Sequence, residues 1–291
     1  MTDWAAVGRH IAAVTGQPFA ARTRRAVGGG CINQSVILSD GVRDYFVKSN
    51  AASRLDMFEA EADGLAGLAA AGALRVPTVV CWGAAGDSSY LVVERLDLDG
   101  RTNGAETGRR LALLHRSVGE RFGWRRDNYI GATPQTNRQS PDWTAFFRDQ
   151  RLGYQLELAV RNGHGRSLQP GGERLLGELR ALLDHNPLPS LLHGDLWTGN
   201  LGYLADGTPA VFDPAVYYGD READLAMSEL FGGFGRDFYA AYREAWPLDP
   251  GYRTRKTLYN LYHVLNHLNL FGGGYLGQAR AMIDRLLAEI R

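Results

Sequence analysis

Three polar residues at a fixed spacing constrain this chain more than any other feature. Asp195 and Asn200 lie five residues apart in the segment His193–Asn200, and Asp213 follows thirteen residues later, before a proline. One carboxylate can orient and deprotonate an attacking hydroxyl, while a carboxamide and a second carboxylate offer the oxygen ligands that Mg²⁺ prefers. The same residues also fit a plain turn and a strand exit, so the rest of the chain has to decide.

A glycine-rich turn upstream predicts a site for nucleotide phosphates. Residues 28–35 lie between two strand-like segments, 23–27 and 36–38, and begin with three glycines. Glycines let backbone N–H groups approach phosphate oxygens. The turn lacks the lysine of a P-loop, and no helix follows it at once, as a dinucleotide fingerprint would require. The phosphate contacts predicted for this turn are Gly28, Gly29, Gly30, Cys31, Asn33 and Gln34.

Lysine is rare in this chain, which directs attention to the two that are present. Of 32 basic residues only Lys48 and Lys256 are lysines. Lys48 ends the strand-like run 45–48, from which a compact ammonium group could reach the phosphates. A glutamate on the following helix should hold it. We predict Glu61 for this role and keep Glu59 as the second choice, the alternative being a solvated helix face.

The order of the predicted elements indicates the fold class. A short helix over 4–15 precedes the strands, a helix over 57–71 follows Lys48, and a buried strand spans 90–94. The later chain is mainly helical, with helices predicted over 106–115, 143–160, 172–183, 224–231, 236–245, 255–271 and 277–291, strands near 190–192 and 209–212, and an exposed loop over 161–172. This order is typical of an α+β, two-lobed protein-kinase-like fold. Its N-lobe would be an antiparallel sheet with one main helix over 1–96, and its C-lobe would cover 97–291.

Charge and composition limit the classes of partner that this chain is expected to bind. The formal net charge is zero and the pI is about 7.1, which argues against nucleic acid or an anionic membrane as a main partner. The first residues do not resemble a signal peptide, and no apolar run reaches the roughly 18 residues of a membrane span. Two cysteines, Cys31 and Cys81, suit a reducing compartment, so we expect a cytoplasmic protein. His and Cys do not cluster at zinc spacing.

Along nearly its whole length the chain resembles the fructosamine kinase (ketosamine-3-kinase) family. The matching segments are 28–34, 45–48, 57–61, 193–200, 212–215, 217–227 and 261–273. The last two are the specific ones, because the related aminoglycoside and choline kinases share only the catalytic skeleton. One departure is Asp220, where the family usually has His. The resemblance implies ATP-dependent phosphorylation of the sugar 3-hydroxyl of a ketosamine, a fructosamine or ribulosamine adduct, in deglycation repair.

Within this scheme each candidate residue has a predicted role. Asp195 is the catalytic carboxylate, Asn200 and Asp213 bind Mg²⁺, and Lys48 neutralises the ATP phosphates. The adenine should meet the backbone around Glu94 to Leu96. His193 is expected to brace the catalytic loop by hydrogen bonds. Two roles are open for Asp224, which could cap the helix that begins near Leu225 or tie that helix to the catalytic loop.

Three further side chains carry weaker predictions. Trp197 could stack on a sugar or a lysyl stem, or pack in the core. His267 shares a helix face with His263 and Asn266, and it is either a substrate contact or an interior histidine. Cys31 is either a small residue packed under the turn or a redox-sensitive thiolate, which would link an otherwise monomeric protein to a second copy.

Two alternatives to a ketosamine kinase remain at this point. One is a small-molecule kinase of the aminoglycoside or choline type. The other is an inactive pseudokinase that serves as a binding scaffold, against which the intact set of Lys48, Asp195, Asn200 and Asp213 argues. The sequence leaves open which sugar and amine are preferred, and whether the adduct is free or bound to protein.

Overall fold

The computed structural model describes residues 2–28 and 32–290. Gly29, Gly30 and Cys31 lie outside the described residues, and so do the phosphate and redox predictions made for them. The chain forms two compact units, Met1–Thr102 with Gly202–Asp213, and Asn103–Leu201 with Pro214–Arg291. The first unit therefore extends past the boundary expected at residue 96 and includes a later segment of the chain.

A five-stranded antiparallel sheet forms the centre of the first unit. Its strands follow the order β1-β2-β3-β5-β4. The predicted strand pair on either side of the glycine turn is confirmed as β1 and β2, which are antiparallel neighbours. The elements are α1 Trp4–Thr15, β1 Thr23–Val27, β2 Gln34–Ser39, β3 Asp44–Ala51, α2 Leu55–Ala71, β4 Val79–Ala85 and β5 Ser88–Glu94.

Alternation along β3 gives the two faces of this sheet different neighbours. Val47 is fully buried in a core cluster that includes Val7 and Ile11 of α1. The next residue, Lys48, points to the opposite face, as the pleat of a strand requires, and reaches Glu61 on α2. The sheet thus lies between α1 and α2, and α2 covers the face that carries Lys48.

The remaining elements are mostly helical, as predicted. They are α3 Gly104–His115, β6 Asn128–Ile130, β7 Thr133–Gln135, α4 Trp143–Phe147, α5 Gly153–Ala159, α6 Gly165–Leu182, β8 Ser190–Leu192, β9 Leu201–Tyr203, β10 Pro209–Val211, β11 Tyr217–Gly219, α7 Glu222–Leu230, α8 Arg236–Ala245, α9 Tyr252–Phe271 and α10 Leu276–Glu289. β8 pairs with β11, and β9 with β10. The hairpin of β6 and β7 was not predicted.

The prediction of a loop over 161–172 is wrong, although more than half of these residues are exposed, as predicted. A π-helical turn, Val160–His164, leads directly into α6, and the change of direction is absorbed at Gly163, whose φ is +90°. Leu168, Leu175 and Leu179 are buried along one face of α6. Burial of this apolar stripe outweighs the low helix propensity of the glycines, which is the signal that the prediction followed. Within the described part of the chain, no helix is both long and apolar enough to cross a membrane.

Candidate active site

Lys48 lies between two carboxylates of the first unit. Its Nζ donates to Oε1 of Glu61 and to Oδ1 of Asp213, each at 2.5 Å. The Lys48 and Glu61 side chains are only 7% and 13% exposed, whereas that of Asp213 is 48% exposed. Glu61 is therefore the residue of α2 that contacts Lys48, as predicted, and Asp213 keeps part of its carboxylate accessible to a ligand.

The Lys48 ammonium and its two carboxylates shift one another's pKa values. Burial alone would lower the pKa of the Lys48 ammonium, but the adjacent carboxylates of Asp213 and Glu61 outweigh that effect and hold this pKa above its ordinary value. Burial raises the pKa of Glu61, and the negative charge of Asp213 raises it further against the opposing effect of Lys48. The Lys48 ammonium is therefore a largely buried, fixed positive charge and not part of a surface ion pair.

Asp213 is held in an unusual backbone conformation. Its φ is +57°, in the left-handed region that non-glycine residues rarely adopt. It follows β10, whose Val211 donates its N–H to the carbonyl of Arg75 at 2.9 Å. Strained backbone of this kind tends to occur where a side chain must be aimed at a function. The local fold thus turns the Asp213 carboxylate toward Lys48.

The predicted catalytic loop, residues 193–200 of the second unit, is ordered by hydrogen bonds among its own residues. Asn200 donates from Nδ2 to the backbone oxygen of Asp195 at 2.9 Å and to its Oδ2 at 3.2 Å. The Asp195 N–H donates to Nδ1 of the fully buried His193 at 3.3 Å, which is the bracing contact predicted for that histidine. Gly194 has φ +83°, and a Cβ there would lie 2.0 Å from the carbonyl oxygen of Ala215, so no side chain fits.

Asp224 connects this loop to α7. Its carboxylate accepts the N–H groups of His193 at 2.7 Å and of Gly194 at 2.8 Å, and its Oδ2 lies 3.2 Å from Nε2 of His115. Burial alone would raise its pKa, but the hydrogen bonds and the histidines around it hold the pKa below its ordinary value. The link to the loop predicted for Asp224 is present.

The capping role predicted for Asp224 is wrong. Asp224 lies inside the first turn of α7, and it is Asp220 that accepts the N–H of Glu222 at the start of the helix, at 3.0 Å. The other carboxylate oxygen of Asp220 lies 2.7 Å from Nε2 of His185 and accepts the hydroxyl of Tyr259. The Asp220 carboxylate therefore accepts the first N–H of α7 and pairs with a histidine.

His185, Asp220 and Glu222 also form the one group of metal-type ligands found among residues 2–28 and 32–290. Their ligand atoms lie within 4.8 Å of one another. Arg255 donates to both carboxylate oxygens of Glu222, at 2.7 and 3.0 Å. Because the Arg255 guanidinium already binds the Glu222 carboxylate, this cluster is a buried ion-pair network.

Trp197 and His267 belong to one aromatic group. The Phe231 ring lies 6.1 Å from Trp197 and 4.8 Å from His267, and His267 also contacts Phe271 and Tyr275. Trp197 is half-buried and covers Gly199, where a Cβ would meet the indole at 2.3 Å. Nδ1 of His267 lies 2.8 Å from the carbonyl of His263. The structure therefore connects the two predicted substrate residues through Phe231, which was not predicted.

Other predicted residues have less defined surroundings. Glu94 ends β5, and its N–H donates to the carbonyl of Thr78 at 2.8 Å, so that N–H is already used within the first unit. Leu96 is half-buried just beyond the strand, and the adenine contact stays a prediction. Cys81 is buried, and burial raises the pKa of its thiol to about 12, which makes it unreactive.

His263 gives the second unit a sensitivity to acid. It is buried, and burial, with His267 and Arg151 nearby, lowers its pKa to about 3 against the opposing effect of Asp224. The unfolded chain therefore binds a proton near pH 6.5 that the folded chain binds only near pH 3. His263 destabilises the fold as pH falls through that window, by up to about 1.4 kcal/mol per pH unit.

We expect this slope to weaken in a variant with His263→Leu, which cannot titrate. Urea unfolding of both proteins at pH 7.5, 6.0 and 5.0 measures it. The control is His164→Leu, since His164 lies in the π-helical turn and is not buried. Equal pH slopes for the wild-type protein and the His263 variant would contradict the assignment.

Comparisons with known proteins bear on this geometry. The family model for fructosamine kinase matches residues 3–289. The chain belongs to the fructosamine kinase family.

It is 49% identical to a Synechocystis protein named "Probable ketoamine kinase" over 98% of this chain and 97% of that one. It is 43% identical to "Protein-ribulosamine 3-kinase, chloroplastic" of Arabidopsis thaliana, over 91% of this chain and 83% of that one. The "Putative fructosamine-3-kinase" from Haemophilus somnus superimposes with a TM-score of 0.88 at 32% identity, covering 98% and 97% of the two chains. The protein-kinase-like α+β fold predicted from the sequence is thereby confirmed.

Proposed function

We propose that this fructosamine kinase family member transfers the γ-phosphoryl group of ATP to the 3-hydroxyl of a ketosamine. The observation that carries the reaction type is the Lys48 ammonium held at 2.5 Å from both Glu61 and Asp213. Such a cation offers nucleotide phosphates a fixed point charge. The acceptor class is supported by the relatives, which are named for ketoamines and ribulosamines.

In this proposal Asp195 is the general base for the acceptor hydroxyl. It takes the proton of the sugar 3-hydroxyl as the new P–O bond forms and the bond to ADP breaks. Its carboxylate is oriented by the Nδ2 of Asn200 at 3.2 Å, and its backbone by His193 and Asn200. Because the transition state of phosphoryl transfer is loose, this positioning supplies much of the rate enhancement.

The residues proposed to bind Mg²⁺ have suitable ligand atoms. Asn200 donates from its amide nitrogen to Asp195 and carries a carboxamide oxygen, and the half-exposed Asp213 carries a carboxylate. Hard cations such as Mg²⁺ prefer oxygen ligands of this type. When bound, the ion neutralises charge on the nucleotide phosphates.

Trp197 and His267 are proposed as walls of the acceptor site, with Phe231 between them.

An acceptor panel tests the proposal. Purified protein with ATP and Mg²⁺ is offered a ribulosamine, a fructosamine, choline and an aminoglycoside, and ADP release is measured. We expect release with one or both ketosamines only. Release with choline or the aminoglycoside alone would assign the chain to that type of kinase, and no release with any acceptor would favour a binding scaffold.

A further inference from the structure

Asn50 lies on β3, two residues beyond Lys48, and makes a set of contacts that the sequence did not predict. Its Nδ2 donates to the carbonyl of Ile32 at 3.2 Å and to Oδ1 of Asn33 at 2.8 Å, while its Oδ1 accepts the N–H of Ala51 at 2.8 Å. Both amide hydrogens thus go to the second half of the glycine-rich turn, where the described chain resumes at residue 32. The carboxamide has a hydrogen-bond partner at each end.

The pleat of β3 places Asn50 and its contacts, here called the Asn50 clamp, on the same face as Lys48. Side chains two residues apart on a strand share one face, about 7 Å apart. Lys48 on that face contacts Glu61 and Asp213, and Asn50 on the same face holds Ile32 and Asn33. One strand therefore fixes the position of the ammonium and of the chain that leaves the turn.

The contacts of Asn50 are more than a support for the sheet. β3 is already paired along its length with β2 and β5, and Asn50 itself is aligned with Ser89 of β5. The carboxamide reaches past the last aligned pair on that side, Gln34 and Ser49, to residues that precede β2. Its hydrogen bonds therefore determine where the turn ends relative to Lys48.

We propose that Asn50 is a positioning residue for nucleotide binding, which holds the end of the glycine turn in register with Lys48. The inference rests on the proposed function, because it assumes that the turn and Lys48 receive the phosphates of one nucleotide. Asn50 acts through Ile32 and Asn33 and need not touch the nucleotide. Its loss should weaken nucleotide binding without affecting the acceptor.

The test compares Asn50→Ala with Ser89→Ala. Ser89 is buried and donates to the carbonyl of Ala51 at 2.8 Å, so it supports the same end of β3 without contacting the turn. Loss of two hydrogen bonds should raise Kd for ADP and KM for ATP roughly tenfold in the Asn50 variant. KM for the acceptor should stay within about twofold, and Tm should fall no more than in the Ser89 variant, whose nucleotide affinity should match wild type.

A second variant tests whether Asn50 acts through Asn33, by a comparison that does not depend on the stability of Asn50→Ala alone. Asn33→Ala removes one acceptor of the clamp, and its effect on Kd for ADP should not add fully to that of Asn50→Ala in the double variant. Unchanged nucleotide affinity in Asn50→Ala, or full additivity, would overturn the inference. Equal losses of nucleotide and acceptor affinity would do the same. A wild-type protein that binds no ADP would instead refute the proposed function, so the two failures are distinguishable.

Discussion

Replacing Asp195 by Asn is expected to lower kcat about a thousandfold while leaving ADP affinity within a few-fold of wild type. The carboxamide cannot take the proton of the attacking hydroxyl, which is the role proposed for the carboxylate. The loop itself should persist, because the N–H groups of His193 and Gly194 remain anchored on Asp224 at 2.7 and 2.8 Å. Steady-state rates with a ribulosamine and calorimetric titration with ADP measure the two quantities.

Asp237→Asn is the matched control, since Asp237 is exposed in the first turn of α8 and belongs to the same unit as Asp195. Its kcat should equal that of the wild-type protein. If the Asp195 variant kept turnover within tenfold of wild type, the assignment of Asp195 as the catalytic carboxylate would be wrong.

Lys48→Met should produce the second large effect, a loss of about 10²- to 10³-fold in kcat/KM for ATP. It removes the buried ammonium that lies 2.5 Å from Glu61 and Asp213 and leaves two carboxylates facing each other. Burial and Asp213 already raise the pKa of Glu61, and the variant removes the Lys48 charge that lowers it. We expect weaker nucleotide binding together with the slower reaction.

Lys256→Met offers a precise comparison, because Lys256 is the other lysine of the chain. It pairs with Glu229 at 2.6 Å, but its side chain is 35% exposed, and such pairs contribute about 0–1 kcal/mol. Its kinetics should match those of the wild-type protein. Equal activity losses in the two variants would mean that Lys48 acts through general stability and not through the phosphates.

The sequence predicted most of the elements that position the candidate site. Periodicity placed α1 and α8 at their observed bounds, and it placed Lys48 on the third strand before a helix that supplies Glu61. These are local patterns, which a single strand or helix expresses directly. The alternation of Val47 and Lys48 across the sheet follows from the same period of two.

What the sequence could not predict depends on contacts between distant segments. Asn50, His115 and Phe231 owe their importance to partners 17 to 109 residues away or to rings on another helix, and no local pattern marks them. The loop predicted over 161–172 failed for the same reason, since tertiary burial of Leu168 and its neighbours overrides local propensity. Of the two roles open for Asp224, the helix cap is wrong because α7 begins two residues earlier, where the carboxylate of Asp220 accepts the N–H of Glu222.

The position of the transferred phosphate tests the central claim most directly. The protein is incubated with ATP, Mg²⁺ and a ribulosamine, and the product is examined at once by ³¹P–¹H correlation NMR. We predict that phosphorus couples to the hydrogen on sugar carbon 3, and that Asp195→Asn forms no such product under the same conditions. Phosphate on a different hydroxyl, or no phosphorylated ketosamine at all, would contradict the account.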